Sequence, residues 1–522
     1  MPAPLTLHAL GWGLALVAAL PMLLLVVQGV QQPGAAWARG VGSGAAVVSV
    51  VRTLALALVV SGAAAGLSLP VAWWLHCSDV PGRRVWRWLL PLSLVLPSYV
   101  TGYTLMAMVG PGGWLSRQAR GWGWTWEVTD TVWATALALL PAWPLVLLPV
   151  WGAMRLVDPR QWEAALLCGA TPWRAWWAVV WPVVRRPMQG GMLALGLYVV
   201  SDFGAVSLLR FRSLSFVVYA RWRNPFLRAE AVQWALLLGV LAVGLVAVQA
   251  WVRGTGPRTG GRSPAPRAWP RVGLGAWRWV AAAVCGGLAL WLTLVPVGVV
   301  VGWGVRGWLL GHAAVPVWKP ALHSLLSAGA AAGVVVGLTV LSGWPLAMGR
   351  RPSPLAVGWL MWSLPAVVVG LAWVTLGSRW LGPLYPGWVV LVGAWSLRCL
   401  PLAWQQWVDA VQARPARLWE SARVLGCTPW QAWWRVAVAG GLSTLGVAGS
   451  LVFLTLVREL PMALMLRPLG EPLLSTRIWS DTEDAFFSRA APAVMALLVL
   501  AVGAHMVARR LEGRTRCRAI EF

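Results

Sequence analysis

Residues 163–182 read EAALLCGATPWRAWWAVVWP, and residues 420–439 read ESARVLGCTPWQAWWRVAVA. The stretches lie 257 residues apart and align without a gap. Glu163 matches Glu420, Gly169 matches Gly426, and Thr171-Pro172-Trp173 matches Thr428-Pro429-Trp430. Ala175-Trp176-Trp177 then matches Ala432-Trp433-Trp434. A repeat of this length in a chain of 522 residues predicts two similar halves, each carrying one copy between membrane segments.

The local chemistry of the repeat is legible. Asp158 before Pro159 is an N-cap with Pro at the first helical position, and Gln161 is placed for a capping box. A short helix then runs through Glu163, and Gly169 is suited to end it in a left-handed turn. Thr171-Pro172 and Thr428-Pro429 restart a helix by the same N-cap logic. Ala165 and Gly169 are four apart, as are Ala422 and Gly426, so each copy presents a face of small side chains. The expectation is a helix–turn–helix with a flat small-residue face and an acid near its start.

Composition sets the class. The chain is 59% hydrophobic and 11% charged, which predicts an all-α polytopic membrane protein rather than a soluble core. Spanning helices, about 20 apolar residues each, are predicted near 8–29, 52–75, 88–110, 131–151, 188–209 and 231–252, and again near 279–303, 322–348, 355–377, 387–407, 442–466 and 490–508. That is about twelve, six in a first half (1–252, loop 155–187) and six in a second (279–522, loop 412–441). The first apolar segment reads as a retained helix. Residues 253–278, rich in Gly, Pro and Arg, read as a cytoplasmic linker. Six helices per half make the repeats parallel rather than inverted.

The net charge of +26 reads as basic loops that orient the chain, not as a nucleic-acid surface. With the N-terminus inside, the inside loops carry 25 Arg and the outside loops 14 Arg or Lys. Both termini, and both copies of the repeat, are therefore expected in the cytoplasm. The 210–230 loop runs against the rule, since it would lie outside with five Arg.

The repeat resembles the signature of permease subunits of bacterial ABC importers: Glu-Ala-Ala, three residues, Gly, nine residues, an aliphatic, one residue, Leu-Pro. Glu163, Ala164, Ala165, Gly169, Val179 and Pro182 match in register, with Trp181 in place of Leu. The second copy keeps Glu420, Ala422, Gly426 and Val436, but has Ser421, Val438 and Ala439 at the other positions. The resemblance covers essentially the whole chain. It implies that this loop seats in a groove of an ATPase subunit, so Glu163, Ala164, Ala165, Gly169, Glu420, Ser421, Ala422 and Gly426 are the candidate coupling residues. It also implies an ATPase dimer and an extracytoplasmic binding protein, periplasmic or lipid-anchored, as partners in the inner membrane.

The stretch after each loop narrows the resemblance. Val200-Ser201-Asp202-Phe203-Gly204 follows the first loop and Val457-Arg458-Glu459-Leu460-Pro461 the second, and the 257 offset pairs Asp202 with Glu459. These stretches, with residues 464–470 (LMLRPLG), look like the fused iron(III) permeases; thiamine permeases share less of them. The runs from Pro97 to Gly102 and from Pro365 to Gly370 resemble a Pro–Gly interrupted helix near the pathway. Asp202, Glu459, Pro97 and Pro365 are the candidate pathway residues. Acids inside spans are costly and usually face a cavity, and a hard cation prefers oxygen ligands. The other reading puts both acids at helix ends, paired with Arg458, Arg210 or Arg467, and both readings stay open at this stage. The 210–230 loop is expected to dock an acidic face of a binding protein or to fold back into the mouth.

Other classes find less support. A secondary transporter would carry more ionisable residues within its spans. No G-x-S-x-G context, metal cluster or catalytic carboxylate pair suggests an enzyme. Six Cys and five His form no metal-binding spacing, so no metal or cofactor site is assigned. A P-loop needs Gly-Lys-Ser/Thr, and the sole Lys lies in Trp318-Lys319-Pro320. ATP is expected to be used by a partner subunit. Ferric iron is the expected solute, with thiamine or another small solute as the alternative.

Overall fold

Runs of Leu, Val, Ala and Gly with few breakers dictate helices, and within a bilayer only a helix satisfies its own backbone along such a run. The structure is a computed structural model that describes residues 5–110, 113–124, 128–254, 269, 272–311, 316–343 and 356–520. Among these the elements are helices, with one isolated bridge between Ser78 and Val272. Eight helices among the described residues are long and apolar enough to cross a membrane, or ten if each of two bent pairs is one span.

Each of the twelve expected segments holds helix where described, and the breaks within them have local causes. The 88–110 segment breaks at Leu96-Pro97, because Pro97 is extended and caps a new helix, Ser98–Val109. The 131–151 segment bends by 45° before Pro144. The 355–377 segment breaks at Pro365, between Ala356–Ser363 and Ala366–Leu376. The 188–209 segment lies in the helix Trp181–Ser201 and a short one after it, Gly204–Leu208. The 387–407 segment lies in Trp388–Gln412. Both of these long helices fall outside the count of apolar spans. The end of the 322–348 segment, beyond Gly343, and most of the 253–278 linker lie outside the described residues.

The chain divides into two compact units. Unit A comprises Met1–Trp37, Arg221–Leu236 and Gly307–Phe522, and unit B comprises Ala38–Ala220 and Leu237–Arg306. The units do not follow the sequence halves: the first half lends its leading helix and Arg221–Leu236 to unit A, and the second half lends its leading segment, up to Arg306, to unit B. Leu5–Val30 packs in unit A on Trp318–Ser342, Ala356–Ser363 and Ala366–Leu376. Trp277–Ala289 packs in unit B on Arg83–Leu89, Leu90–Val95 and Gly44–Cys77.

Within unit B the core is Gly44–Cys77, Pro144–Met154 and Trp181–Ser201, packed pairwise. The contact faces carry small residues. Ala57, Ser61, Ala64, Ala65, Ser68 and Ala72 are buried on the first helix. A Cβ at Gly191 would stand 2.9 Å from the Leu145 carbonyl oxygen, so the helices touch backbone to backbone. In unit A, Trp318–Ser342, Trp388–Gln412 and Ala439–Val457 pack in the same way, with Ala328, Ala331 and Ala332 buried. Other large apolar side chains point outward: Leu58, Val240 and Val499 are about 70% exposed, as expected where lipid is the solvent.

Candidate functional site

The first repeat folds as Pro159–Leu167, a left-handed turn at Gly169, and a second helix from Pro172. Asp158 caps the first helix by accepting from the Arg160 N–H at 3.0 Å. This corrects the expected capping box with Gln161: the carboxylate reaches the second helical N–H, one residue short of the third. The reciprocal box forms in the second copy, where Thr428 Oγ1 accepts from Gln431 N at 3.3 Å and Gln431 Oε1 from Thr428 N at 3.0 Å. Gly169 and Gly426 have φ of +86° and +82°, and a Cβ at either would meet nothing within 4 Å. Glycine is there for its backbone, and the space beside it is open.

Both copies then widen into a π-helical turn at equivalent places, Trp176–Val180 and Trp433–Val438. Such a turn frees carbonyls from the regular ladder. In the second copy Arg414 donates to two of them, Val436 O, and Ala437 O at 2.7 Å. The position 257 residues before Arg414 is Val157, so the first copy has no such clamp.

The candidate coupling residues lie on exposed surface. Glu163, Ala164, Gly169, Glu420, Ser421 and Gly426 are exposed, and Ala165 and Ala422 are half-buried. Beside them stand Leu167, 88% exposed, and its repeat equivalent Val424, 86% exposed. Both apolar side chains sit at the tip of a polar helix, where neither contributes to the core. Sequence reasoning passed over this pair, although the 257 offset marks it.

The candidate pathway residues come together within each unit. In unit B the Trp181–Ser201 helix ends at Asp202, and the short helix Gly204–Leu208 starts at once. Asp202 is buried, and its Oδ2 accepts from the Ala205 N–H at 3.0 Å. The Ser98 hydroxyl, next to Pro97, also hydrogen-bonds this carboxylate. Ser215 Oγ donates to the Asp202 carbonyl at 2.5 Å. A Cβ on Gly204 would stand 2.6 Å from Ser98 Oγ and 3.0 Å from Tyr99 N, so only glycine lets the two breaks meet.

Unit A repeats the arrangement. Glu459 is buried, its Oε1 accepting from Met462 N at 3.0 Å and its Oε2 from Ala463 N at 3.1 Å. The Trp395 indole donates to the same Oε2 at 3.0 Å, and Ser475 Oγ donates to the Glu459 carbonyl at 2.9 Å. The short helix Pro461–Leu466 packs on Ala366–Leu376 across Gly370, whose Cβ would stand 3.0 Å from Met465 Sδ. Pro97 and Asp202 therefore belong to one break, and Pro365 and Glu459 to its counterpart. Each acid stands one residue before the N-cap, Phe203 or Leu460, and accepts from N–H groups in the first turn of the short helix that follows it.

The 210–230 loop holds the helix Leu214–Arg223, and three of its arginines face acids. Arg212 lies 3.9 Å from Asp130, Arg221 3.1 Å from Glu230, and Arg223 3.0 Å from Glu483. Asp130 also holds Arg52 at 2.6 Å and accepts from Arg212 N at 3.1 Å. These pairs discount much of the charge that breaks the positive-inside pattern. The role of Asp130 was not legible, because a single acid in a loop gives no spacing signal.

The family described as "Binding-protein-dependent transport system inner membrane component" matches residues 68–253 and 325–516, one copy in each half. The chain belongs to this family. This permease is thus an ABC-type, multi-pass inner-membrane transport component with two homologous halves. It is 22% identical over 458 residues to an Fe(3+)-transport system permease protein of Haemophilus influenzae, covering 86% of this chain and 87% of that one. A sulfate transport system permease protein of Synechocystis is 27% identical over 159 residues, 30% of this chain and 56% of the relative. A molybdenum transport system permease protein of Escherichia coli is 28% identical over 158 residues, 30% of this chain and 69% of the relative.

Proposed function

We propose that this permease moves ferric iron inward, delivered by a periplasmic or lipid-anchored binding protein, while the two repeats seat on a dimer of ATPase subunits. The observation that carries the iron reading is length. The iron(III) relative aligns over 86% of the chain, through both halves, whereas the sulfate and molybdenum relatives align over 30%. The coupling role is supported by two equivalent exposed tips, each with a left-handed glycine, an acid and an apolar side chain left in solvent. Hydrolysis of ATP is assigned to the partner, and this chain transmits its effect. Both termini and both repeats are assigned to the cytoplasmic side, from the excess of Arg in those loops.

The acids take a different part from the one a free carboxylate would take. Each has its oxygens directed at backbone N–H groups of the following helix, so in our reading Asp202 and Glu459 shape the pathway wall and do not ligate the ion. Pro97 and Pro365 set the facing break in each unit. The test is uptake. The permease is co-purified with the ATPase and binding protein encoded beside it and reconstituted into vesicles, which are offered radiolabelled ferric iron, thiamine, sulfate and molybdate in turn. ATP-dependent accumulation of iron alone is expected. Accumulation of thiamine or of an oxyanion instead would replace iron as the solute, and accumulation without the ATPase would return the chain to the secondary transporters.

A further inference from the structure

Unit B holds a groove of about 570 Å³ beside the first repeat. Its floor is Gly66, Leu69 and Pro70 of the Gly44–Cys77 helix, and its walls are indoles, among them Trp74, Trp173 and Trp177. Trp173 is 68% exposed and Trp177 43% exposed, so two of the largest apolar side chains in the chain are left partly uncovered. We propose that this groove binds one anionic phospholipid, its acyl chain along the Gly44–Cys77 helix and its phosphate on the arginines gathered at that helix's C-terminal end.

Depth selects the acyl chain. Gly66 lies eleven residues before Cys77, the last residue of a candidate membrane span. The helix residues that line the groove run from Gly66 to Trp74, about 12 Å at a rise of about 1.5 Å per residue. That is no longer than one leaflet of a hydrocarbon core of roughly 30 Å, so a single acyl chain covers it. Trp is also the residue favoured at this level of a membrane, where an apolar body meets a wet edge.

Charge selects the headgroup. Arg87 Nε donates to Leu75 O at 3.1 Å and Arg83 to Ser78 O at 3.4 Å, which fixes both beside the helix end. Arg155 and Arg87 share the Trp151 ring, at 4.7 and 5.8 Å. His76, the residue after Leu75, has its ring 6.2 Å from Trp269, which in turn stands 6.1 Å from Trp73 at the groove. None of the three arginines is in an ion pair among the described residues. The neighbouring acid, Asp79, accepts from Leu274 N at 3.0 Å. Arginines held at Leu75 and Ser78, one and four residues beyond the groove-lining Trp74, offer a phosphate site next to an apolar groove, which is the chemistry of an anionic lipid site.

The test is native mass spectrometry of the full-length permease in detergent, titrated with phosphatidylglycerol or with phosphatidylcholine of the same chains. One phosphatidylglycerol is expected to be retained, with phosphatidylcholine at least tenfold weaker. Arg87→Gln with Arg155→Gln should weaken phosphatidylglycerol by about fivefold per guanidinium removed. Trp173→Ala, at a position 68% exposed, should weaken both lipids alike. Inorganic phosphate at millimolar concentration should displace neither. Equal retention of the two lipids, unchanged retention in Trp173→Ala, or displacement by phosphate would overturn the proposal. So would loss of the lipid when the ATPase subunit is bound, since the groove would then be a seat for protein.

Discussion

Leu167 and Val424 offer the sharpest measure of coupling. Each is nearly fully exposed, at 88% and 86%, and each occupies the same place in its repeat. If both are covered by an ATPase subunit, each contributes about 1.5–3 kcal/mol of transfer free energy to the association. Removing about 2 kcal/mol weakens binding by roughly 30-fold. Leu167→Ser should therefore lower the affinity of the purified permease for its ATPase subunit by about that factor, and so should Val424→Ser. The same changes should leave the permease's own stability within about 0.5 kcal/mol, because neither side chain is part of its core. Binding would be read by titrating labelled ATPase subunit onto immobilised permease, and stability by the thermal midpoint of the permease alone. An unchanged affinity in the double variant, with an unchanged midpoint, would show that these tips do not touch the ATPase.

Gly169→Leu and Gly426→Leu place a Cβ where φ exceeds +80°, at a cost of about 1–2 kcal/mol, and project a side chain from the open tip; uptake should fall while the permease stays monodisperse, with the first loop the more sensitive, and normal uptake in both would remove the coupling assignment. Asp202→Asn keeps an oxygen for the Ala205 N–H, and Asn caps about as well as Asp, so iron uptake should stay within about twofold; a complete loss would instead give the charge itself a role in passage. Glu459→Gln turns one oxygen into a donor while three N–H groups converge on the carboxylate, so it should cost about 1–3 kcal/mol of stability, read as a lowered thermal midpoint. A reporter inserted at Asn224 should read periplasmic and one after Pro266 cytoplasmic, and a cytoplasmic signal at Asn224 would mean that the helix count of the first half is off by one.

The repeat carried most of what could be read from residues alone. Asp158, Thr171 and Thr428 cap helices as their side chains dictate, and Gly169 and Gly426 are left-handed because a helix stops there. The Pro–Gly interruptions at Pro97 and Pro365 are local and were legible for the same reason. The 257 offset marked Asp202 and Glu459, but it left open what their oxygens reach, which depends on Ser98 and Trp395 in distant elements. The π-helical turns carry no pattern distinct from an ordinary helix. The clamp of Arg414 on their carbonyls, and the hold of Asp130 on Arg52 and Arg212, are long-range contacts that spacing does not encode. Helix counting by hydropathy also stopped short of packing, because an apolar run shows that it is buried in lipid or protein and not which unit it joins.

The traded leading helices give the linker a particular status. Leu5–Val30 fills a place in unit A, and Trp277–Ala289 fills one in unit B, so each half holds a piece that the other needs to close its core. A chain cut between residues 253 and 278 would yield two fragments that fold only as a complementing pair, with association and folding a single event. Keeping them on one chain makes that event intramolecular, which raises the effective concentration of each half for the other. In this view the connection secures partner choice during biogenesis, and the finished permease would outlast its removal.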